Sequence, residues 1–304
     1  MSLEAALILS AGFGTRMGEI GKVLPKPLWP LYEKNVIDLQ IQFCRWKGIK
    51  NIYINTHHLH ELIKDFIEKN NHKDVHILHE DEILDSGGAI HNFFKNTNHK
   101  NVLYLASDQF YFFDDSSWRK GVNELKNSRA VLFTMNALGT DKYREFVIEN
   151  DRLIDIRDHI DSNNYITFSG LGFINLEDFK YRSGPSNFFD SVANYKNEKV
   201  ITINPVEQEY WDFGTYDLYF KNCFEVLKSK GRFNRFLLDT NSIRSELYHD
   251  KRCSYKSNDP LVLNFTSQIN SKPLPGPSII MRGDDLDPRG CGLYYNDEYQ
   301  EVRG

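Results

Sequence analysis

Five apolar residues in succession, Ala5 to Leu9, run into the turn Ser10-Ala11-Gly12-Phe13-Gly14. A continuous apolar run stopped by glycines predicts a strand buried on both faces, as in a parallel sheet. Ile37, Ile41 and Cys44 then recur at helical spacing and Gly48 ends that helix. Asn51 to Asn55 reads as a second strand and Val75 to Leu78 as a third. Between them, Leu59, Leu62, Ile63, Phe66 and Ile67 mark one face of an amphipathic helix. Gly87-Gly88 opens a short helix through Phe94, and Val102 to Leu105 is a fourth strand ending in Ser107-Asp108. Leu28 to Tyr32, interrupted by Pro30, reads as a loop or irregular extended piece.

The pattern changes after residue 130. Ala130 to Met135 is a strand. Phe146 to Glu149 and Arg152 to Ile156 form a hairpin about Asn150-Asp151. Ile166 to Phe168 and Gly172 to Ile174 are two strands around Ser169-Gly170. A helix over Asn187 to Asn194, a strand over Val200 to Ile203, a helix from Thr215 to about Ser229 and a helix over Asn234 to Tyr248 follow. Beyond these, prolines break the pattern into short β-like pieces, Pro260 to Phe265 and Ser278 to Met281, with no hexapeptide repeat of the kind that predicts a β-helix. Alternation of strand and helix predicts an α/β fold, a doubly wound, mostly parallel Rossmann-like sheet. The β-rich middle reads as an insertion on it. Residues 1–240 form the expected main domain and 241–304 a C-terminal extension.

Composition narrows the classes. The 304 residues carry a net charge of -5, which argues against a general nucleic-acid binder. No apolar run is long enough to span a membrane, and the N-terminus lacks a signal-peptide pattern. Cys44, Cys223, Cys253 and Cys291 are far apart, so reduced thiols in the cytoplasm are expected rather than disulfides or structural zinc.

The chemistry concentrates at predicted strand ends, where open α/β sheets bind ligands. Gly12, Asn55 and Asp108 fall on one such edge. Gly12 and Gly14 let backbone N–H groups approach an anion closely. A dinucleotide fingerprint needs a third glycine where Met17 stands, and Gly21-Lys22-Val23 fails the Walker pattern. Arg16 and Lys26, the latter held between Pro25 and Pro27, supply phosphate-gripping cations beside the turn. Asp108 reads either as a Mg²⁺ ligand or as a turn aspartate. Asp212 reads either as a second Mg²⁺ ligand or as a cap for the helix near Thr215. His57, His58 and His60 are expected to pack at a strand end rather than bind metal, and Phe110 to Phe113 to form core or pocket wall.

Leu9-Ser10-Ala11-Gly12-Phe13-Gly14-Thr15-Arg16-Met17 with Pro25-Lys26-Pro27-Leu28 resembles the signature of sugar-1-phosphate nucleotidylyltransferases. So, in order, do Asn55-Thr56-His57-His58-Leu59, Leu84-Asp85-Ser86-Gly87-Gly88-Ala89, Ser107-Asp108, Phe168-Ser169-Gly170 and Trp211-Asp212-Phe213-Gly214-Thr215. The resemblance covers roughly residues 4–230. It looks closest to the short branch with N-acetylmuramate-1-phosphate uridylyltransferase and heptose- or mannose-1-phosphate guanylyltransferases. It implies transfer of a nucleoside monophosphate from a triphosphate, UTP or GTP, to a sugar 1-phosphate, as used in making cell-envelope polysaccharide. The backbone of Ala11, Gly12, Gly14 and Thr15 would wrap the triphosphate. Arg16 would hold the β- and γ-phosphates, and Lys26 those around the α-phosphorus. Gly87 and Gly88 would pass the base or ribose, Asp108 and Asp212 would hold Mg²⁺, and Gly170 would lie against the sugar. Ser107 stands where relatives more often have glycine. Ile156-Arg157-Asp158-His159 lacks the acceptor-binding lysine of many relatives, so either Arg157 substitutes for it or the acceptor is held differently. The resemblance also admits a phosphocholine-type cytidylyltransferase and a non-catalytic sugar-nucleotide sensor.

Overall fold

The computed structural model describes residues 2–139, 141, 143–243, 262–266, 274, 277–283, 286–287 and 289–302. Its strands in chain order are β1 (Ala5–Leu9), β2 (Pro30–Leu31), β3 (Lys34–Asn35), β4 (Ile52–Thr56), β5 (Val75–His79), β6 (Asn101–Ala106), β7 (Gln109–Phe113), β8 (Ala130–Ala137), β9 (Arg144–Glu149), β10 (Arg152–Asp158), β11 (Tyr165–Asn175), β12 (Val200–Ile203) and β13 (Gln208–Asp212), then β14 (Val262–Asn264), β15 (Ser278–Arg282), β16 (Gly292–Tyr295) and β17 (Glu298–Glu301). The helices are α1 (Ile20–Val23), α2 (Val36–Trp46), α3 (His60–Lys69), α4 (Asp85–Asn96), α5 (Asp115–Glu124), α6 (Phe188–Ser191), α7 (Tyr216–Lys228) and α8 (Arg232–Asp239). The chain divides into two compact units, one of residues 1–12 and 43–210, the other of 13–42 and 211–304.

The first unit holds a nine-stranded sheet in the order β5-β4-β1-β6-β11-β8-β12-β10-β9. β10 and β11 run against the other seven strands, so the sheet is mostly parallel, as its continuous apolar strands require. β1 is buried almost throughout. Ala5, Leu7, Phe93, Tyr104, Leu132, Ile174 and Phe188 belong to one core layer against α4 and α6. Gly48, at φ 81°, closes α2; its N–H reaches the Arg45 carbonyl and Ile49 N–H the Cys44 carbonyl. The β9–β10 turn places Asn150 and Asp151 at φ 49° and 61°, the left-handed pair that a two-residue hairpin demands. Phe110 to Phe113 lie in β7 and are all buried.

Several elements differ from the sequence pattern for identifiable reasons. The two strands expected around Ser169-Gly170 are one bent strand, β11. Gly170 adopts φ 81° and the register shifts between Phe168 and Gly172, so the bulge bends the ladder without ending it. The helix expected over Asn187 to Asn194 is the single turn α6, with Asn187 Oδ1 accepting from Phe189 N–H at 2.9 Å. The loop after Pro27 contains the small β2–β3 hairpin, with Tyr32 at φ 60°.

In the second unit, α8 stops at Asp239 instead of running on. Asn241 takes φ 51°, its N–H bonds the Leu238 carbonyl at 3.1 Å, and Ser242 N–H bonds the Leu237 carbonyl at 2.7 Å. That is the Schellman stop, which Asn tolerates. The remainder of the expected helix, 244–248, lies outside the described residues, as do Cys253, Pro260, Pro273, Pro275 and Pro288. The C-terminal pieces form a four-stranded sheet, β14-β15-β16-β17, parallel except for the last pair. Leu263, Ile279 and Leu293 stand in register across it and are buried, so a buried ladder forms without a sequence repeat. Among the described residues, no helix is long and apolar enough to cross a membrane.

Candidate functional site

In the first unit, the carboxyl ends of β1, β4, β5 and β6 share one edge, tied by hydrogen bonds. Ser10 N–H donates to Asn55 Oδ1 at 2.6 Å, and Asn55 Nδ2 donates to Glu80 Oε1 at 2.8 Å. Leu84 N–H donates to Glu80 Oε2 at 3.2 Å, and Ser107 N–H to the Leu9 carbonyl at 3.0 Å. Glu80 is the residue that pattern reading passed over. It is 2 % exposed, and its burial pushes the carboxyl above the usual carboxylate range against the bond from Asn55. Its position one residue past β5, at the carboxyl end of a predicted strand, was the available signal.

Because its pKa is raised on folding, Glu80 binds a proton more tightly in the folded protein than in the unfolded chain. Its contribution to stability is largest below the unfolded value and is lost as pH rises through the raised folded value. Urea unfolding of Glu80→Gln will therefore show a shallower fall in stability than wild type as pH rises from about 4.5 toward neutrality. Parallel curves would remove this role.

Asp108 sits in the turn between β6 and β7 and is buried. Gly170 is brought beside that turn. A Cβ at Gly170 would stand 2.0 Å from Gln109 Oε1, the movable end of a side chain, and 3.5 Å from Ala106 Cβ, so it is the positive φ that calls for glycine. Gly87 and Gly88 lie in the first turn of α4. Their N–H groups both donate to the Ser186 carbonyl, at 2.8 and 3.1 Å. A Cβ on either would strike the backbone oxygen of Asn187 or Gly184. These glycines let the segment 184–187 pack directly on the helix.

The same unit contains a cavity of about 630 Å³, within the size range of small-molecule sites. Phe168 and Phe189 supply apolar wall, while Arg144, Thr167, Asn187 and Lys196 are among its polar lining. None of the polar four was singled out from sequence, because β9, β11 and the α6 region meet only in the fold. Arg157, one of the two expected ways to make up for the missing lysine, is committed elsewhere. Its guanidinium grips Glu145 with two bonds of 3.0 and 2.9 Å and holds that carboxyl below its usual range. The cations at the cavity are Arg144 and Lys196. His57 Nδ1 contacts the Glu80 carbonyl oxygen, and His60 contacts Thr56 Oγ1 and packs 4.2 Å from His79, ring to ring.

Ala11 and Gly12 close the N-terminal segment of the first unit; Ala11 is buried, and a Cβ at Gly12 would meet nothing within 4 Å. The rest of the loop belongs to the second unit. Gly14 and Gly18 take φ 64° and 65° on either side of the tight turn Thr15–Met17. Met17 is buried, and its N–H returns to the Gly14 carbonyl at 2.8 Å. Arg16 thus stands exposed at the tip of an anchored turn.

Lys26 is half-buried at the start of a second tight turn, with both flanking prolines buried. Trp29, fully buried, closes this turn through N–H to the Lys26 carbonyl at 3.0 Å. Its ring meets Tyr219 of α7 edge-on at 4.8 Å, and the Tyr219 hydroxyl donates to the Pro30 carbonyl. The same helix carries the Asp212 segment. Thr215, not Asp212, is its N-cap, with Oγ1 accepting from Leu218 N–H at 3.2 Å. Asp212 Oδ1 accepts from Gly214 N–H at 2.7 Å, and Asn222 of α7 bonds the Asp212 carbonyl at 2.7 Å. One helix therefore fixes both Lys26 and Asp212.

Asp108 and Asp212 offer hard oxygen donors on anchored strand ends, which suit Mg²⁺. Among the described residues, no group of three or more His, Cys, Asp or Glu could hold a metal ion. Magnesium in phosphate chemistry characteristically uses one or two carboxylates with substrate oxygens and water, and single carboxylates of this kind fit that use.

Residues 5–152 match the family model described as nucleotidyl transferase. The chain is 27% identical over 220 residues to a D-glycero-alpha-D-manno-heptose 1-phosphate guanylyltransferase of Campylobacter jejuni, covering 71% of this chain and 96% of that protein. It is 29% identical over 110 residues to the protein of the same name from Aneurinibacillus thermoaerophilus, covering 36% of this chain and 48% of the relative. The structure of HddC from Yersinia pseudotuberculosis complexed with GMP-PN has the same fold, with a TM-score of 0.62 and 19% identity over 73% of this chain and 99% of that one.

Proposed function

We propose, because the chain belongs to the nucleotidyl transferase family and within it to the sugar-1-phosphate nucleotidylyltransferases, that it transfers a nucleoside monophosphate from UTP or GTP to a sugar 1-phosphate. Pyrophosphate and a nucleoside-diphosphate sugar are the products. The observation that carries this reading is the loop after β1: an unobstructed Gly12, left-handed Gly14 and Gly18, and Arg16 held outward between them.

An oxygen of the sugar phosphate attacks the α-phosphorus in line. The new P–O bond forms as the bond from the α-phosphorus to the bridging oxygen breaks, and pyrophosphate carries away the electron pair. The attacking monoester is already ionised near neutral pH, so no strong general base is needed. The work is positioning and charge compensation. The backbone of Ala11, Gly12, Gly14 and Thr15 cradles the triphosphate, and Arg16 holds the future pyrophosphate. Lys26 meets the charge that develops around the α-phosphorus. Magnesium, when bound, neutralises phosphate charge, and Asp108 and Asp212 are each assigned as carboxylates that hold it. Gly87 and Gly88 serve the nucleotide by setting the depth of α4's first turn. Gly170 is assigned to lie against the sugar, and the cavity lined by Arg144, Thr167 and Lys196 takes it.

The test measures pyrophosphate release from four nucleoside triphosphates against a panel of sugar 1-phosphates, with and without Mg²⁺. Turnover with a sugar 1-phosphate and UTP or GTP is expected. Turnover confined to CTP with phosphocholine would replace this reading, and triphosphate binding without turnover for any acceptor would make the chain a sensor. With the preferred pair, Arg144→Ala will raise KM for the sugar phosphate by about tenfold, the scale of one charge-assisted contact, leaving KM for the triphosphate unchanged. An unchanged sugar-phosphate KM would take Arg144 out of the acceptor site.

A further inference from the structure

The loop that carries Arg16 does not hold its shape with its own residues alone. Gly14 and Gly18, at positive φ on both sides of the turn, are the positions where a chain is freest to change course. Inside the loop, Met17 is buried and Gly21 packs against Met17 Cβ and the Gly14 carbonyl. The outer face of Gly18 is covered from β17, nearly three hundred residues away. Gln300 Oε1 accepts from Glu19 N–H at 3.2 Å. A Cβ on Gly18 would stand 2.0 Å from that same oxygen and 2.6 Å from Gln300 Cδ. Gln300 Nε2 donates to the Glu301 carbonyl at 3.0 Å, which points the amide oxygen toward the loop. The backbone beneath it is firm, because Gln300 pairs with Leu293 of β16, which is fully buried in the C-terminal sheet.

We propose that Gln300 is a positioning residue for the triphosphate loop, and that the C-terminal sheet β14–β17 serves as the loop's brace. This rests on reading the loop as the triphosphate site. Gln300 touches no reacting atom. By filling the space that a side chain at position 18 would need and by capturing Glu19 N–H, it keeps Arg16, two residues before Gly18, at a fixed height. A loop released from this contact must be ordered by the triphosphate itself, so binding weakens while the chemistry, once the loop closes, proceeds at its old rate.

The experiment uses the full chain with Gln300→Ala, Gln300→Glu, Gly18→Ala and the double variant. In Gln300→Ala, KM for the triphosphate should rise about threefold to tenfold, the scale of one lost hydrogen bond, while kcat and KM for the sugar phosphate stay the same. Gln300→Glu keeps an acceptor oxygen and should recover most of the triphosphate KM. Gly18→Ala should lose affinity more severely, and adding Gln300→Ala should restore part of it by removing the clash, a non-additivity that distant sites do not show. Amide hydrogen exchange of the ligand-free protein is the readout that needs no activity: residues 14–20 should exchange faster in Gln300→Ala. Unchanged exchange and unchanged KM overturn the proposal. So does an equal rise in both KM values with a lowered melting temperature, because Gln300 would then support the fold at large. Faster exchange in a protein whose wild type releases no pyrophosphate would uphold the brace and overturn the activity.

Discussion

Lys26→Ala lowers the rate of pyrophosphate release by about 10²-fold or more, the loss typical when one preorganised charge is removed from a developing anion, with little change in melting temperature. The side chain is half-buried, and the turn beneath it is built from other groups. Pro25 and Pro27 fix the backbone, and Trp29 N–H and the Trp29–Tyr219 edge contact close it. Alanine therefore removes the ammonium and leaves the platform. Lys26→Arg should recover little, since a broad planar fork does not replace a compact charge between two rigid prolines. Steady-state kinetics beside thermal unfolding checks both statements. Wild-type turnover in Lys26→Ala would sink the assignment, and a collapse in stability would make Lys26 a structural cation.

Asp108→Asn is expected to cost a similar or larger factor, about 10²-fold to 10³-fold, and to lower sensitivity to added Mg²⁺. Asparagine keeps the shape and one acceptor oxygen but loses the charge. The turn itself is held by Ser107 N–H on the Leu9 carbonyl, which the substitution leaves in place. Asp108→Asn should thus stay close to wild type in metal-free stability while losing turnover. The discriminating measurement is a Mg²⁺ titration of activity and of melting temperature in both proteins. Full activity at ordinary Mg²⁺ concentrations in Asp108→Asn would remove Asp108 from the metal.

Much of this could be read in one dimension. β1, β4 and β6 follow the apolar runs closely, because strands buried on both faces leave continuous hydrophobic stretches; β5, at the sheet edge and largely half-buried or exposed, was still marked by Val75, Ile77 and Leu78. The Asn150-Asp151 turn was equally visible, since few residue pairs accept two left-handed positions. One departure is local: Asn241 stops α8 because the Schellman bonds form there, although the apolar pattern runs on. The others depend on which distant segments meet. Gly87 and Gly88 look like ligand-facing glycines, yet 184–187 lies across them. Arg157 looks available, yet Glu145 on the neighbouring strand holds it. Glu80 has no local motif and gains its place only through the bond from the Asn55 side chain on the neighbouring strand.

The sequence by itself determined the reaction class to be tested. Gly12, Gly14, Arg16 and Lys26 lie close together along the chain, so their spacing alone specifies a phosphate loop with its cations. Tertiary structure decided how those groups are held and what surrounds them. α7 anchors the Lys26 and Asp212 segments, which lie nearly two hundred residues apart, through Tyr219 and Asn222. β9, β11 and the turn after α6 assemble a cavity whose polar residues carry no common motif. Gln300 reaches Gly18 from the far end of the chain. Local spacing is written into sequence by backbone geometry, whereas contacts between remote segments exist only once burial has brought them together.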